Sequence, residues 1–329
     1  MNPIAPRRLL PLVALLLLTA GCQRSSPDPE ATGGREAGAP VTVVATNGMI
    51  ADLARRIGGE RVEVISLIGE GVDPHLYKPN RDDVTTMMGA DLILYNGLLL
   101  EGNLDEALRA TGDRIPAIPV AESIPAERLL TPDGPTAPPD PHVWLDPELW
   151  AICSDPVVEA YVRLLPEHEA EFRGNQSDFV SLCGTLAAEG RSSIGTIPEP
   201  NRILLTSHDA FQYFGRANGI EVRGIQGVST ESEAGLADIE ALVVLIQERG
   251  IPAVFVESSV PPRTIEALVE GARARGCEVV IGGELHADSM GAPGTEAGTW
   301  PGMIRHNLRS ISTALGPQDE DEDKSGPGA

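Results

Sequence analysis

A chain of 329 residues exceeds one average domain and has the apolar material for two cores. Its formal charge of −23 excludes a nucleic acid partner, whose phosphates would repel it, and makes a cation the natural ligand. Aromatic residues make up only 4% of the chain, so aliphatic side chains and alanine must fill the cores.

Arg7 and Arg8 precede an apolar run from Leu9 to Leu18, and Thr19-Ala20-Gly21 then lead to Cys22. A charged start, a short apolar centre and small residues at the end predict an export leader over residues 1–21, too short to span a membrane. With a cysteine directly after, it resembles a bacterial lipoprotein signal, which makes Cys22 the lipidated, membrane-anchored first residue of the mature chain. Residues 22–40 are Pro, Gly, Ser and charge without apolar periodicity, a flexible tether.

From Val41 short β-rich runs alternate with helical ones. VTVVAT, RVEVISLIG, DLILYNG and IPAIPVA read as strands, with MIADLARRIGG and NRDDVTTMMGA as helices between them. After residue 198 the logic repeats, with strands NRILLTSH, EVRGIQG, IPAVFVESS and CEVVIGGEL. Such alternation predicts two parallel-sheet α/β domains, residues 41–165 and 198–316. Residues 147–165 read as the last helix of the first domain and residues 166–197 as one long helix joining the two. Residues 317–329 form an acidic, disordered tail.

The chemistry begins with a repeated tripeptide, Asp73-Pro74-His75 and Asp140-Pro141-His142. A proline fixes one backbone angle and so restricts where the next side chain points, which is a way to build a rigid ligand. His208 ends the run ILLTSH, and Asp288 follows a strand in GGELHADSMG. Open α/β sheets bind ligands beyond the carboxyl ends of their strands, and all four residues fall there. Three imidazoles and a carboxylate spread over both halves can meet only in a cleft between the domains, where they suit Zn²⁺ or Mn²⁺ better than Ca²⁺ or Mg²⁺. His286, two residues from Asp288, competes for its place, whereas His168 and His306 lie inside helical stretches and read as surface or packing residues.

The blocks IADLARRIGGERVEVISLIGEGVDPHLYKP, ADLILYNGLLLEGNLDEAL, DPHVWLDP, TSHDAFQYF, GIQGVSTESEAG, VFVESSVPPRTIEAL and GGELHADSMG resemble, in order, the TroA-like zinc- and manganese-binding receptor lipoproteins of bacterial ABC importers, the cluster A-I solute-binding proteins. The resemblance covers residues 41–315. It implies that His75, His142, His208 and Asp288 hold one transported divalent ion, favours Asp288 over His286, and implies two α/β domains on a single long helix. Zinc-specialised relatives often carry a histidine-rich loop before the second DPH; here that stretch is PAERLLTPDGPTAPPD, so manganese stays open beside zinc. The chain holds no P-loop and no internal membrane run, so the permease and ATPase subunits must be separate partners. The receptor itself is expected to be a monomer and not an enzyme. The alternatives are a zinc hydrolase, with Glu257 as its base, and an adhesin; the bland reading of Glu257 is a carboxylate behind a ligand.

Apart from Cys22 the cysteines are Cys153, Cys183 and Cys277. Cys153 and Cys183 are equidistant from residue 168, inside the break before the joining helix, so an antiparallel helical hairpin would set them side by side; a disulfide between them, leaving Cys277 free, and buried free thiols are the two readings.

Overall fold

The computed structural model describes residues 39–112, 114–132 and 134–317. The leader, Cys22 and the acidic run of the tail lie outside the described residues, as does the tether save for its last two positions. β1 (Val41–Ala45), α1 (Gly48–Gly58), β2 (Val62–Ser66), α2 (Arg81–Met88), β3 (Leu92–Tyr95), α3 (Asp105–Gly112) and β4 (Ala117–Pro119) form the first half. Their four strands make one parallel sheet in the order β2-β1-β3-β4. α1 starts where the Asn47 side chain accepts the N–H of Ile50, and it ends at Gly59 with φ 54°. The apolar residues Met49, Ile50, Leu53 and Ile57 recur at helical spacing and are all buried against the sheet.

The stretch expected as one helix over 147–165 is two, α4 (Pro147–Ile152) and α5 (Ser154–Leu164), broken at Cys153. A single 3₁₀ turn at Pro166–His168 then leads into α6 (Glu169–Gly195), 27 residues without a break and about 40 Å long at 1.5 Å per residue. Added Cβ atoms at Gly174 and Gly184 would meet nothing within 4 Å, so these glycines weaken α6 and serve no close approach. Gly190 is different: a Cβ there would lie 2.4 Å from Asn218 Oδ1, and its absence lets the next helix pack close.

The second half comprises β5 (Ile203–His208), α7 (Gln212–Asn218), β6 (Glu221–Gln226), α8 (Leu236–Arg249), β7 (Ala253–Glu257), α9 (Arg263–Ala274), β8 (Val280–Leu285) and α10 (Trp300–Leu315). β5 pairs with β6 and β7 with β8, both parallel, the latter with a register shift at Val254/Phe255. One continuous core runs from Val41 through Trp144, Trp150, Phe179 and Leu186 to Trp300 and Leu315, so α6 contributes buried side chains to a core that both halves share. Trp300 stands 6.3 Å from Trp150 and 5.6 Å from Phe179, ring centre to ring centre. A second cluster lies under α8 and α9, and a third between β3 and the helices α2 and α3.

Cys153 and Cys183 are free thiols, which corrects the expected bridge, and Cys277 is free as well. Counting from residue 168 did place the pair in one buried neighbourhood: burial pushes the Cys153 thiol up, and Cys183 beside it adds to the effect. Cys153 sits at the break between α4 and α5, however, and its thiol turns back to donate to the Leu149 carbonyl at 3.6 Å.

Candidate metal centre

The two DPH turns have the same local construction. In the first, Asp73 Oδ1 accepts the N–H of His75 at 2.8 Å; in the second, Asp140 Oδ1 accepts the N–H of His142 at 2.9 Å. An aspartate that bonds the backbone two residues on, with a proline between, closes a turn in which the histidine's direction is fixed. His208 is the last residue of β5, and its N–H donates to Glu257 Oε1, at the end of β7, at 2.8 Å. Asp288 follows β8 by three residues.

These four side chains meet at one point. His142 Nε2 lies 3.3 Å from His75 Nε2 and 3.4 Å from His208 Nε2. Asp288 brings Oδ1 to 3.2 Å from His142 Nε2, and Oδ2 to 3.2 Å from His208 Nε2 and 3.8 Å from His75 Nε2. The four ligand atoms all lie within 4.8 Å of one another, a spacing that could hold one metal ion. His142 and His208 are wholly enclosed, whereas His75 keeps 4% of its surface.

Behind two of the imidazoles stand carboxylates. Asp140 Oδ1 is 2.7 Å from His142 Nδ1, and Glu257 Oε2 is 2.6 Å from His208 Nδ1. A carboxylate on Nδ1 holds the proton there and turns the Nε2 lone pair inward. Burial disfavours the charged form of His142, but the carboxylates of Asp288 and Asp140 outweigh it and push the group up to about 9. His208 is likewise raised, because Glu257 and Asp288 overcome its burial. Asp288, which burial alone would raise, is held well below the usual carboxylate range by His208 and His142. His75 has no carboxylate behind its ring, and burial takes it down to about 3.

Further hydrogen bonds sew the centre together from outside, and sequence reading had missed them. Trp144 Nε1 donates to the Ala287 carbonyl at 2.8 Å, tying the second DPH turn to the residue before Asp288. The Tyr213 hydroxyl donates to the Asp140 carbonyl at 2.9 Å and accepts the N–H of Leu130 at 3.0 Å. The Asp that opens each DPH was in plain view as a signal, but the Trp and Tyr contacts join residues far apart in sequence.

The remaining histidines stand elsewhere. His286 Nδ1 is 3.1 Å from Ser258 Oγ and its ring leans on His306 at 4.9 Å, while His168 pairs with Glu171 at 3.4 Å. Glu257 occupies the place behind a ligand that the bland reading gave it.

Residues 43–314 match the family model described as zinc-uptake complex component A, periplasmic. The chain is 44% identical over 304 residues to the manganese-binding lipoprotein MntA of Bacillus subtilis, covering 92% of this chain and 97% of that one. It is 43% identical over 274 residues to the zinc-binding protein TroA of Treponema pallidum, covering 83% and 88%. A third relative, the manganese ABC transporter substrate-binding lipoprotein PsaA of Streptococcus anginosus, is 29% identical over 311 residues, covering 92% of this chain and 97% of that one. The solved structure of the periplasmic zinc-binding TroA superposes with a TM-score of 0.82 at 42% identity, over 84% of this chain and all of the other. Fold, element order and sequence thus agree over nearly the whole described length, and the chain belongs to the family of periplasmic zinc-uptake component A proteins.

Proposed function

We propose that the protein is the extracytoplasmic receptor of an ABC importer, binding one Mn²⁺ or Zn²⁺ as cargo through His75, His142, His208 and Asp288. The observation that carries this reading is the convergence of three imidazole nitrogens and one carboxylate in a closed space, two of the imidazoles backed by carboxylates. Nitrogen and carboxylate donors suit borderline divalent ions. The α/β lobes of residues 41–165 and 198–316 meet around the ion, with residues 166–197 as the helix between them. Residues 1–21 are the cleaved leader, lipid on Cys22 anchors the mature chain on the outer side of a membrane, residues 22–40 are the tether and 317–329 an acidic tail. A membrane permease and an ATPase then take up the ion; no helix among the described residues is long and apolar enough to cross a membrane. The names of the relatives, two of them manganese-binding lipoproteins and one a zinc-binding protein, support this reading.

The hydrolase alternative needs Glu257 as a base beside a metal-bound water. Both Glu257 oxygens are instead turned to His208, one to its N–H and one to Nδ1, on the side away from Nε2. That occupation favours the receptor.

The test titrates metal-free protein with Mn²⁺ and Zn²⁺ by calorimetry, for the wild type and for His142→Ala. One ion per chain with the wild type and a loss of at least about a hundredfold in affinity with the variant are expected; an unchanged affinity in His142→Ala would remove that residue from the site. Because Zn²⁺ binds nearly every such site more tightly than Mn²⁺, the cargo is decided by uptake of each ion in cells lacking and regaining the protein.

A further inference from the structure

Residues 96–103, NGLLLEGN, supply none of the four ligands, yet they are built against the preferences of the backbone. Leu98 and Leu99 have φ of 53° and 65°, the left-handed region that residues with a side chain avoid. Two such residues in succession persist only where the surroundings hold them. Glu101 does so. Only 4% exposed, it accepts the N–H of Asn96 and the hydroxyl of Thr46 on Oε1, both at 2.7 Å, and the N–H of Gly97 on Oε2 at 3.2 Å.

Clamped in this way, the segment grips both DPH turns. The side-chain amide of Asn96, a residue with no exposed surface, donates to the Pro141 carbonyl at 3.1 Å, at the peptide that leads into His142. At the other end of the segment, Asn103 donates to the carbonyl of His75 itself at 3.0 Å. The two histidines so held are those whose Nε2 atoms stand 3.3 Å apart although 67 residues separate them.

We propose that Asn96 is a positioning residue for the metal centre, with the buried Glu101 as its anchor and Asn103 as its counterpart on the His75 turn. The inference rests on the metal-binding reading above. The hydrogen bonds of Asn96 go to Glu101, Gly97 and Pro141 and not to a ligand side chain; it acts by helping to fix the orientation of the Pro141–His142 peptide, and hence the direction from which Nε2 of His142 meets the ion. Loss of the amide removes one restraint on that peptide, whose N–H stays bonded to Asp140 Oδ1 and whose carbonyl still accepts the N–H of Val143, and loosens its orientation while the four ligands remain.

Co²⁺ is the probe, because its visible absorption reports the number and arrangement of its ligands. Wild-type protein, Asn96→Leu, Asn103→Ala and a core control, Leu108→Ala, are titrated with Co²⁺, and their thermal unfolding is recorded in parallel. Leu108 lies in the cluster between β3 and the helices α2 and α3. Asn96→Leu should bind Co²⁺ about 10- to 100-fold more weakly, the usual range for residues that orient ligands, with a shifted absorption band. Asn103→Ala should shift the band with a smaller loss, and Leu108→Ala should lose stability with its band unmoved. An Asn96→Leu spectrum and affinity that superpose on the wild type overturn the proposal, as does an equal band shift in Leu108→Ala. If Asn96→Leu does not fold, Asn103→Ala decides, since Asn103 is exposed. A wild type that gives no Co²⁺ band at all would instead sink the metal reading.

Discussion

The carboxylates behind His142 and His208 look alike, but replacing each by its amide should have opposite consequences. On Asp140, both donors of His142, its backbone N–H at 2.9 Å and Nδ1 at 2.7 Å, converge on the single oxygen Oδ1. Asp140→Asn can keep an oxygen there, so Nδ1 keeps its proton and Nε2 its lone pair. On Glu257 the donors are divided: Oε1 accepts the N–H of His208 at 2.8 Å, and Oε2 faces Nδ1 at 2.6 Å. A glutamine has one oxygen for two donors. If that oxygen stays with the backbone, the new NH₂ group faces Nδ1 and demands that Nδ1 accept, which moves the ring proton to Nε2. In the metal-free protein this is harmless, because Nε2–H can donate to Asp288 Oδ2 at 3.2 Å. Binding an ion requires the other tautomer and leaves a buried donor facing a donor, which costs about 1–3 kcal/mol. The penalty falls only on the bound state. Glu257→Gln should therefore weaken metal binding by roughly 10- to 100-fold, at about 1.4 kcal/mol per factor of ten, and Asp140→Asn by less than about threefold. Removing either charge also eases the competition from protons, an offset that fades as pH rises, so both variants belong in a chelator-buffered competition at about pH 8.5. Equal losses in the two variants, or none in Glu257→Gln, would refute the tautomer argument.

Ion binding by the wild type should release protons near neutral pH, because His142, held up at about 9, and His208, also raised, must be neutral to ligate. Affinity should accordingly fall as the pH drops from about 9, and not only below 6 as ordinary histidines would give; calorimetry in buffers of different ionisation enthalpy counts the protons, and a count of zero contradicts the assignment. Gly224→Ala would place a Cβ 2.4 Å from the Asp209 nitrogen and 2.5 Å from the His208 carbonyl carbon, both backbone atoms that cannot swing aside. It should cost about 1–3 kcal/mol of stability or more, read from thermal unfolding, and weaken metal binding by displacing His208. Protein denatured without reductant should show Cys153, Cys183 and Cys277 as three reactive thiols, Cys22 apart, whereas a single one would restore the bridge.

What the sequence disclosed about the centre was its local chemistry. Asp-Pro-His closes its own turn, so the two copies could be recognised without knowing what they faced. His208 and Asp288 could be singled out because open α/β sheets present binding residues beyond the carboxyl ends of their strands, a rule that needs only the strand boundaries. The long helix was readable over 166–197 although two internal glycines lower its propensity, and it begins one 3₁₀ turn later than read. The contacts that orient the ligands were not readable. Trp144 reaches Ala287 across 143 positions and Asn96 reaches Pro141 across 45, and nothing in local composition distinguishes a Trp that donates across a core from one that merely fills it. The disulfide misled for a different reason: equal distance from a turn gives proximity, but the helix breaks at Cys153, where Pro156 has no N–H to offer the Ile152 carbonyl, and the Cys153 thiol bonds back to Leu149.

The charges of the centre explain why a cation is the fitting occupant. Three carboxylates, Asp140, Glu257 and Asp288, face two histidines, and their negative charge raises the affinity of both imidazoles for protons. The space is nearly sealed from water, and a change of net charge in such surroundings is costly. An ion that displaces protons from these histidines supplies positive charge in place of the charge it removes, so the change in net charge at the centre is small. His75, neutral with or without the ion, adds a donor atom and no charge. The carboxylates behind two of the imidazoles thus couple ion binding to proton release, and the choice among ions rests with the geometry of the four donors. The same exchange makes protons the direct competitors of the ion, so that whatever returns protons to His142 and His208 favours its release.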